Sequence, residues 1–346
     1  MIRVLVVDDS STARALLVSI LGGAPDIRVV AEARDGLDGV ALTQKLRPDL
    51  VTMDLHMPNM DGFTAIKEIM VTAPTPIVVC TGSTLAGEVA TAMNALRAGA
   101  LAVLRKPPAP GSPGFDEAAQ KLIATVTAMA QVKVVRHWRS TSRPTPAEFA
   151  PPPSAPTERP RLVAVATSTG GPPALQTLLS GLPADFEAPI LVVQHITKGF
   201  TAGLATWLNT VCNLQVKVAE HGDRLAPHTV YVAPDDRHLG VANQTVVALS
   251  SAPPVGGFRP AGTFLFESVA RVFGSAALAL ILTGMGDDGV AGLRAVRQAG
   301  GRIIAQDEET SVVYGMPGAA VAAGLADQVL PLDRIAGRVA QLVGGR

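Results

Sequence analysis

Five side chains in the first third of the chain could together act on a phosphoryl group. Asp8 and Asp9 follow the apolar run RVLVV, Asp54 follows DLVTM, Thr81 follows PIVVC, and Lys106 ends AVLRK. If these runs are parallel strands, their carboxyl ends meet at one edge of a sheet. Three carboxylates at one edge repel each other, which predicts a Mg²⁺ site formed by the three aspartates. The central Asp54 is the predicted nucleophile toward phosphorus, with the Lys106 ammonium and the Thr81 hydroxyl contacting the transferred group.

Each of these residues also has an ordinary structural interpretation. An aspartate at a strand end is most often the N-cap of the following helix. A lysine before a proline is usually a solvated charge, and a threonine at a strand end usually belongs to a turn. The combination favours a site, because all five residues stand at strand ends that a single sheet edge would bring together.

A second set of reactive side chains lies in the C-terminal half. Ser168 follows RLVAVA in the turn TSTGGPP, His195 follows ILVVQ, and Asp288 follows LALILTG. An imidazole can remove the proton of a serine hydroxyl and a carboxylate can orient the imidazole, so the three residues predict nucleophilic catalysis. The main-chain N–H of Met285, which stands between two glycines, is the predicted oxyanion donor.

These C-terminal residues allow other interpretations. TSTGGPP could be a helix cap or a phosphate-binding turn, His195 could be structural, and the pair Asp287 and Asp288 could cap a helix or bind a cation. The chain order Ser, His, Asp also differs from the order Ser, Asp, His of α/β-hydrolases, which predicts a separate lineage.

The elements that would position both sets alternate between short apolar runs and helical periodicity. In the N-terminal part the predicted strands are 3–7, 28–33, 49–53, 76–80 and 102–106, with helices such as 11–21 and 62–71 between them. In the C-terminal part the predicted strands are 161–166, 190–194, 229–233 and 278–284, with helices such as 172–180, 203–209 and 265–273. The predicted fold class is therefore α/β, with two doubly wound parallel-sheet domains.

A proline-rich segment separates the two parts. Residues 143–160 read RPTPAEFAPPPSAPTERP, a composition that excludes helix and sheet ladders and favours a semi-stiff spacer. The predicted organisation is an N-terminal domain at 1–130, a helix end and linker at 131–159, and a catalytic domain at 160–346. A chain of 346 residues is long enough for two such domains.

Composition argues against several classes of protein. The chain is 48% hydrophobic and 17% charged with a formal net charge of +0, which disfavours general disorder and dedicated nucleic-acid binding. No apolar run reaches the roughly 20 residues of a membrane-spanning helix, and the N-terminus lacks the apolar core of a secretory signal. Cys80 and Cys212 stand far apart among apolar residues, so we expect buried, reduced thiols in a cytoplasmic protein.

The N-terminal blocks VVDDS, MDLHMPNMDG, TGS and RKP resemble those of response-regulator receiver domains over about residues 1–130. The resemblance implies a flavodoxin-like sheet, phosphorylation of Asp54 by a histidine kinase with Mg²⁺ as cofactor, and a switch through Thr81 and Lys106. The chain departs from that family at Val103, where receivers usually carry an aromatic residue.

The C-terminal blocks ATSTGGP, VQHI, YVAPDDRHL, LTGMGDDGVAG and QDEETSVVYGMPGAA resemble the catalytic domain of bacterial chemotaxis protein-glutamate methylesterases over about residues 160–346. The resemblance implies a Rossmann-like domain in which Ser168 is the nucleophile, His195 the base and Asp288 the orienting acid. It also implies that Met285 supplies the oxyanion donor through its main chain. The six histidines of the chain show no tight metal-ligand spacing, so we expect no cofactor in the ester reaction.

The chain departs from the methylesterase pattern at three places. It has FRPAGT at 258–263 in place of the usual HRPSVD, Thr197 in place of a proline, and Gly318 in place of an arginine. None of these positions belongs to the predicted triad, so the departures bear on how substrate is gripped.

Together the two resemblances imply a phosphorylation-activated serine hydrolase that acts on methylated chemoreceptors. It would remove methyl esters from glutamate side chains, deamidate receptor glutamines and so set adaptation in a chemosensory pathway. We expect the receiver to cover the catalytic edge until Asp54 is phosphorylated. The alternative is a catalytically inactive, phospho-responsive binding module of a two-component pathway.

Overall fold

The computed structural model describes residues 1–82, 94–96, 98–132 and 158–344. It contains two parallel sheets, one in each half of the chain, which confirms the predicted fold class. The predicted proline-rich spacer lies almost wholly outside the described residues, and the domain limits drawn around it stay a prediction.

The N-terminal sheet has five parallel strands in the order β2-β1-β3-β4-β5. The strands are β1 (Ile2–Val7), β2 (Ile27–Ala33), β3 (Leu50–Met53), β4 (Ile77–Thr81) and β5 (Ala102–Arg105). Each lies within one residue of a run that the sequence predicts as a strand. Because strand addition changes direction at β1, a crevice opens between the carboxyl ends of β1 and β3.

Helices cover both faces of this sheet. They are α1 (Ser11–Gly22), α2 (Gly36–Leu46), α3 (Gly62–Thr72) and α4 (Phe115–Met129), and residues 94–96 are also helical. Helix α1 begins at Ser11 because the Ser10 side chain accepts a hydrogen bond from the Ala13 N–H. Ser10 therefore has the capping role that position alone would suggest for Asp8 or Asp9, and these two carboxylates are left at the sheet edge.

The C-terminal sheet has seven parallel strands in the order β14-β13-β12-β6-β7-β9-β8. The strands are β6 (Leu162–Thr167), β7 (Ile190–Gln194), β8 (Gln215–Val218), β9 (Thr229–Val232), β12 (Ala277–Ile281), β13 (Arg302–Gln306) and β14 (Gln328–Leu330). The central strand β6 pairs with β7 on one side and with β12 on the other. The chain adds strands first on one side of β6 and then on the other, which opens a crevice at the carboxyl ends of β6, β7 and β12.

Helices and one hairpin complete the C-terminal domain. The helices are α5 (Gly171–Ser180), α6 (Thr201–Val211), α7 (Gly262–Phe273), α8 (Val290–Gln298), α9 (Met316–Ala322) and α10 (Leu332–Gly344), and the antiparallel hairpin is β10 (His238–Asn243) with β11 (Val246–Ser250). The hairpin, β8, β13 and β14 are absent from the elements predicted from the sequence. The strands β8 and β14 form the two edges and are partly exposed, so they lack the continuous apolar run that marks β6 and β7.

Burial agrees with the apolar runs of the central strands. Every residue of β6, β7 and β12 is buried, as expected for parallel strands covered by helices on both faces. Within the described ranges, no helix has the length and apolar character needed to cross a membrane. Cys80 is buried as expected, whereas Cys212 is partly exposed, so the prediction of full burial is wrong for that residue.

Candidate active site

The residues predicted for phosphoryl chemistry meet at the carboxyl ends of β1, β3 and β5. The Lys106 Nζ lies 2.8 Å from Asp8 Oδ2 and 3.0 Å from Asp54 Oδ2. Asp8 is fully buried and Asp54 is 5% exposed, so little water reaches these carboxylates. Burial lowers the pKa of Lys106, but its hydrogen bonds with the two aspartates and their charges outweigh burial and raise that pKa overall. The ammonium is therefore charged at neutral pH and neutralises part of the cluster.

Asp9 completes a group of three carboxylates. Asp8, Asp9 and Asp54 each offer an oxygen that lies within 4.8 Å of the other two. Burial raises the pKa of Asp8, and the charge of Asp54 raises it further despite the contact with Lys106. A second cation would relieve this repulsion, and carboxylate oxygens are the ligands that Mg²⁺ prefers. The donor set therefore fits a Mg²⁺ ion.

Thr81 ends β4 next to this cluster. The Lys106 N–H donates to the Thr81 carbonyl at 2.9 Å, which ties the two strand ends together. Thr81 is 1% exposed, and its Oγ1 has no hydrogen-bond partner within the described part of the chain. The neighbouring Cys80 is inert, because burial raises the pKa of its thiol to about 12. The Thr81 hydroxyl is therefore free to donate a hydrogen bond to an oxygen atom of a group attached to Asp54.

Ser168 lies in the turn between β6 and α5, at the crevice of the C-terminal sheet. Its N–H donates to the Thr283 carbonyl beyond β12 at 3.0 Å, and its carbonyl accepts from Gln194 Nε2 at the end of β7 at 2.7 Å. The turn is therefore bonded to both neighbouring strand ends. Gly170 has a φ of 78°, and Pro172 stands in the first turn of α5, as the sequence predicts.

A close approach by Gly284 holds the turn of Ser168 against the strand end of β12. A Cβ on Gly284 would lie 2.8 Å from the Ser168 Cβ and 2.4 Å from the Met316 Sδ. Any side chain at position 284 would therefore collide with the side chains of Met316 and Ser168. This explains why a glycine precedes Met285 here.

His195 follows β7, next to the end of β6 after which Ser168 stands. Its N–H donates to the Thr167 carbonyl at the end of β6 at 3.0 Å. Its imidazole Nε2 lies 2.9 Å from Asp288 Oδ2, and the two side chains are only 10% and 3% exposed. Its Nδ1 is buried and has no hydrogen-bond partner among the residues that the structure describes. The three residues of the predicted triad thus share one edge of the sheet, and the imidazole and carboxylate are in contact.

The N-terminus of α7 holds the Asp288 carboxylate. The Gly262 N–H donates to Oδ2 at 2.6 Å, and the Thr263 N–H donates to Oδ1 at 3.0 Å. Burial alone raises the pKa of Asp288, but the hydrogen bonds from His195, Thr263 and Gly262 outweigh it and lower that pKa overall. An ionised carboxylate only accepts hydrogen bonds, so in the neutral imidazole of His195 the proton is on Nε2 and the lone pair is on Nδ1. This geometry would let the imidazole act as a base through Nδ1.

Met285 follows in the loop between β12 and α8. Its main-chain N–H has no acceptor among the described residues, and its side chain is exposed. An N–H without an intramolecular acceptor is what an oxyanion donor requires. The adjacent Asp287 is exposed, in contrast to the buried Asp288, which agrees with the absence of an implied role for Asp287.

Similarity to known proteins agrees with this geometry. Residues 163–339 match the family model described as CheB methylesterase, and residues 4–112 match the response regulator receiver domain model. The chain is 54% identical to a Myxococcus xanthus protein named protein-glutamate methylesterase/protein-glutamine glutaminase 4, over 99% of this chain and 98% of that protein. The chain belongs to the CheB methylesterase family. Both resemblances read from the sequence are therefore confirmed.

Other members of the CheB family and a solved structure give the same result. A Nitrosospira multiformis protein named protein-glutamate methylesterase/protein-glutamine glutaminase is 45% identical over 100% of this chain and 98% of its own length. The crystal structure of the Thermotoga maritima CheB methylesterase catalytic domain is 42% identical, with a TM-score of 0.52, and covers 53% of this chain and 99% of that chain. The C-terminal half of this chain thus has the fold of a CheB catalytic domain.

The residues that hold the predicted triad in place carry little signal in the sequence. Gln194 and Thr283 fix the turn of Ser168, and the backbone of Gly262 and Thr263 holds Asp288. A polar residue at a strand end was the only available signal for Gln194. No side-chain signal marks the two N–H donors, because any residue but proline could supply them.

The receiver contacts the catalytic domain beside the His195 loop. The Thr197 hydroxyl, two residues after His195, donates to the Val103 carbonyl on β5 at 3.4 Å. Helix α4 and strand β5 of the receiver line a cavity together with Thr197. Val312 packs against the receiver core and also lies beside Gly170 in the Ser168 turn. Thr197 and Val103, which meet here, are both positions at which the chain departs from the family patterns.

Proposed function

We propose that this chain is a phosphorylation-activated protein-glutamate methylesterase in which Ser168, His195 and Asp288 form the catalytic triad. The observation that carries the assignment is the buried hydrogen bond between His195 and Asp288 next to the Ser168 turn. The names of the full-length relatives supply the reaction. The inactive binding module that the sequence left open is not favoured, since these relatives are named as enzymes.

The first half of the reaction transfers an acyl group to the enzyme. The Ser168 Oγ attacks the γ-carbonyl carbon of a methylated glutamate while His195 Nδ1 takes the hydroxyl proton. The ionised Asp288 stabilises the imidazolium, and the Met285 N–H binds the oxyanion, a role usually worth roughly 10²–10³ in rate. The tetrahedral intermediate then collapses, the imidazolium protonates the departing methoxy oxygen, and methanol leaves.

The second half restores the enzyme. Water attacks the acyl-serine ester while His195 Nδ1 takes its proton, and the intermediate breaks to glutamate and the Ser168 hydroxyl. A glutamine side chain follows the same course with ammonia as the leaving group. This common acyl-enzyme explains how one site serves both activities that the relatives' names state.

The cluster of charged side chains around Asp54 in the receiver regulates the esterase activity. Asp54 accepts a phosphoryl group from a histidine kinase, and the Lys106 ammonium and Thr81 hydroxyl contact its oxygens. Mg²⁺ held by Asp8, Asp9 and Asp54 would supply positive charge that offsets the negative charge of the phosphoryl oxygens. The kinase and the methylated receptor segments would meet the chain in the cytoplasm, which is the location we propose.

The contact between the two domains supports a mechanism in which the receiver covers the catalytic crevice and so lowers the basal activity. Thr197 bonds to the receiver two residues from His195, and Val312 lies between the receiver core and the Ser168 turn. A receptor helix approaching Ser168 would have to displace this contact. Deleting residues 1–142 is therefore expected to raise basal methanol release. An unchanged basal rate would refute the hypothesis that the receiver covers the catalytic crevice.

The decisive experiment measures methanol release from receptor membranes methylated with a radiolabelled methyl group. The full chain is assayed with and without a small acyl phosphate, next to Ser168→Ala as a matched variant. We expect release by the wild type, stimulation by the acyl phosphate, and no release by Ser168→Ala with an unchanged thermal midpoint. Equal release by both proteins would refute the role of Ser168.

A further inference from the structure

The Phe258 ring lies flat against the imidazole of His195. The two ring centroids are 4.1 Å apart and the planes differ by 2°. Phe258 is 37% exposed, so the ring is not part of the domain core and one side of it borders the site. Nothing in the triad chemistry uses this side chain, although its ring is stacked on the base.

A tight turn places this ring. Val255 and Phe258 exchange main-chain hydrogen bonds of 3.0 Å in both directions. Gly256 and Gly257, the two residues between them, have φ values of 59° and 85°, the positive values that a type I′ turn requires. On the other side of Phe258, the Arg259 guanidinium donates hydrogen bonds to two main-chain carbonyls in the segment directly after β11. The Phe258 backbone is therefore held on both sides.

The same segment also holds the acid of the triad. Four and five residues after Phe258, the N–H groups of Gly262 and Thr263 bind the Asp288 carboxylate. One short stretch of chain thus contacts the imidazole through a ring and the carboxylate through two donors. This arrangement fixes the base and its orienting acid relative to each other.

The hydrogen bond to Asp288 does not by itself fix the orientation of the imidazole plane. The contact restrains Nε2, but this atom lies close to the Cβ–Cγ axis and moves little when the ring rocks about its χ2 torsion, which is broad for histidine. Proton transfer needs the Nδ1 lone pair, which lies in the ring plane, to point at the serine hydroxyl. A second ring packed flat on the first restricts that plane.

We propose that Phe258 is a positioning residue that fixes the plane of the His195 imidazole for proton transfer at Nδ1. The inference rests on the proposed function, since it assigns a role within the same triad. It predicts an effect on kcat, because the ring acts on the base. A side chain that only gripped substrate would change KM instead.

The test compares three full-length variants with the wild type, all stimulated by a small acyl phosphate. Phe258→Leu replaces the aromatic ring by an aliphatic side chain of similar size, and Phe258→Tyr keeps an aromatic ring. Val329→Ala, the control, truncates an exposed apolar residue on the edge strand β14. We expect Phe258→Leu to lower kcat roughly three- to tenfold with KM unchanged. Phe258→Tyr should restore kcat to within about twofold of the wild type, and Val329→Ala should not differ from it.

Two readouts keep this test separate from the methylesterase assignment. The rate of Ser168 labelling by a fluorophosphonate reports activation of the hydroxyl without any receptor, and it should fall in Phe258→Leu in parallel with kcat. In wild-type protein labelled at histidine, the carbon-bound ring protons of His195 should be shifted upfield by the Phe258 ring, and the shift should vanish in Phe258→Leu. If receptors release no methanol while labelling follows this pattern, the substrate assignment fails and the positioning role stands.

Several results would overturn the proposal. They are an unchanged kcat and labelling rate in Phe258→Leu, a rise in KM alone, or a Phe258→Tyr variant as slow as Phe258→Leu. Unshifted imidazole protons in the wild type would refute the stack itself, whatever the variants do.

Discussion

Replacing Asp288 by asparagine tests the arrangement of the base most directly. The carboxylate accepts hydrogen bonds from His195 and Gly262 at Oδ2 and from Thr263 at Oδ1. An amide offers one acceptor and one donor, so its NH₂ must face an N–H group at one of these positions. With the oxygen at the Oδ2 position, only the bond to Thr263 is lost. With the oxygen at the Oδ1 position, the bonds to His195 and Gly262 are both lost.

The first orientation of the amide is the less costly one and sets the expected magnitude. It leaves one buried N–H without an acceptor, which should lower the unfolding free energy by about 1–3 kcal/mol. It keeps Nε2 of His195 as the donor but removes the negative charge that faces the imidazolium. We expect Asp288→Asn to lower kcat/KM by a factor on the order of 10²–10⁴, the higher value applying if the amide turns over and reverses the tautomer.

The stability difference should depend on pH with a defined sign. The pKa of Asp288 is lowered in the folded protein, so its ionisation stabilises the fold above the usual carboxyl pKa. That contribution is lost as the pH falls through the folded pKa. Asparagine does not titrate, so the gap in thermal midpoint between the wild type and Asp288→Asn should be full at neutral pH and should shrink below about pH 4.

The assay is methanol release with the thermal midpoint measured in parallel. Asp287→Asn is the matched control, because it makes the same chemical change one residue earlier at an exposed carboxylate. It should keep activity within about twofold of the wild type, as surface substitutions usually do. A rate for Asp288→Asn within threefold of the wild type would refute the role of this carboxylate, and equal losses in both variants would show that only overall charge matters.

Three further predictions concern the receiver and its contact. Lys106→Met leaves Asp8 and Asp54 unpaired, so the unfolding free energy should fall by roughly 3 kcal/mol without Mg²⁺ and recover in part with it, as measured by urea unfolding. Asp9→Asn removes a predicted ligand, so half-maximal stimulation by acyl phosphate should need roughly tenfold more Mg²⁺; an unchanged requirement would exclude Asp9 from the site. Thr197→Val removes the hydroxyl donor to Val103, so basal methanol release should rise roughly two- to tenfold with the stimulated rate unchanged.

Much of the architecture could be predicted because buried parallel strands leave a strong signal. Continuous apolar runs marked β6 and β7, and their ends carried Ser168 and His195, so topology alone brought these residues to one edge. The edge strands β8 and β14 lack that signal because water reaches one side of them. The contact between Thr197 and Val103 joins positions 94 residues apart, and no local pattern encodes a contact of that kind.

The state of the base depends on features that residue types do not record. A serine, a histidine and an aspartate at three strand ends predict a proton relay, but they do not determine which ring nitrogen faces which partner. Here the hydrogen bond from His195 and the two N–H groups at the N-terminus of α7 lower the pKa of Asp288, and the ionised carboxylate accepts its hydrogen bond from Nε2. The free lone pair at Nδ1, and with it the direction of proton transfer, follows from backbone geometry in the segment that departs from the family pattern. For this reason Gly262→Ala should lower kcat although it replaces no triad residue, because the added Cβ would lie 2.8 Å from the Ala166 Cβ and 3.3 Å from Asp288 Oδ2 and would shift the N–H donors.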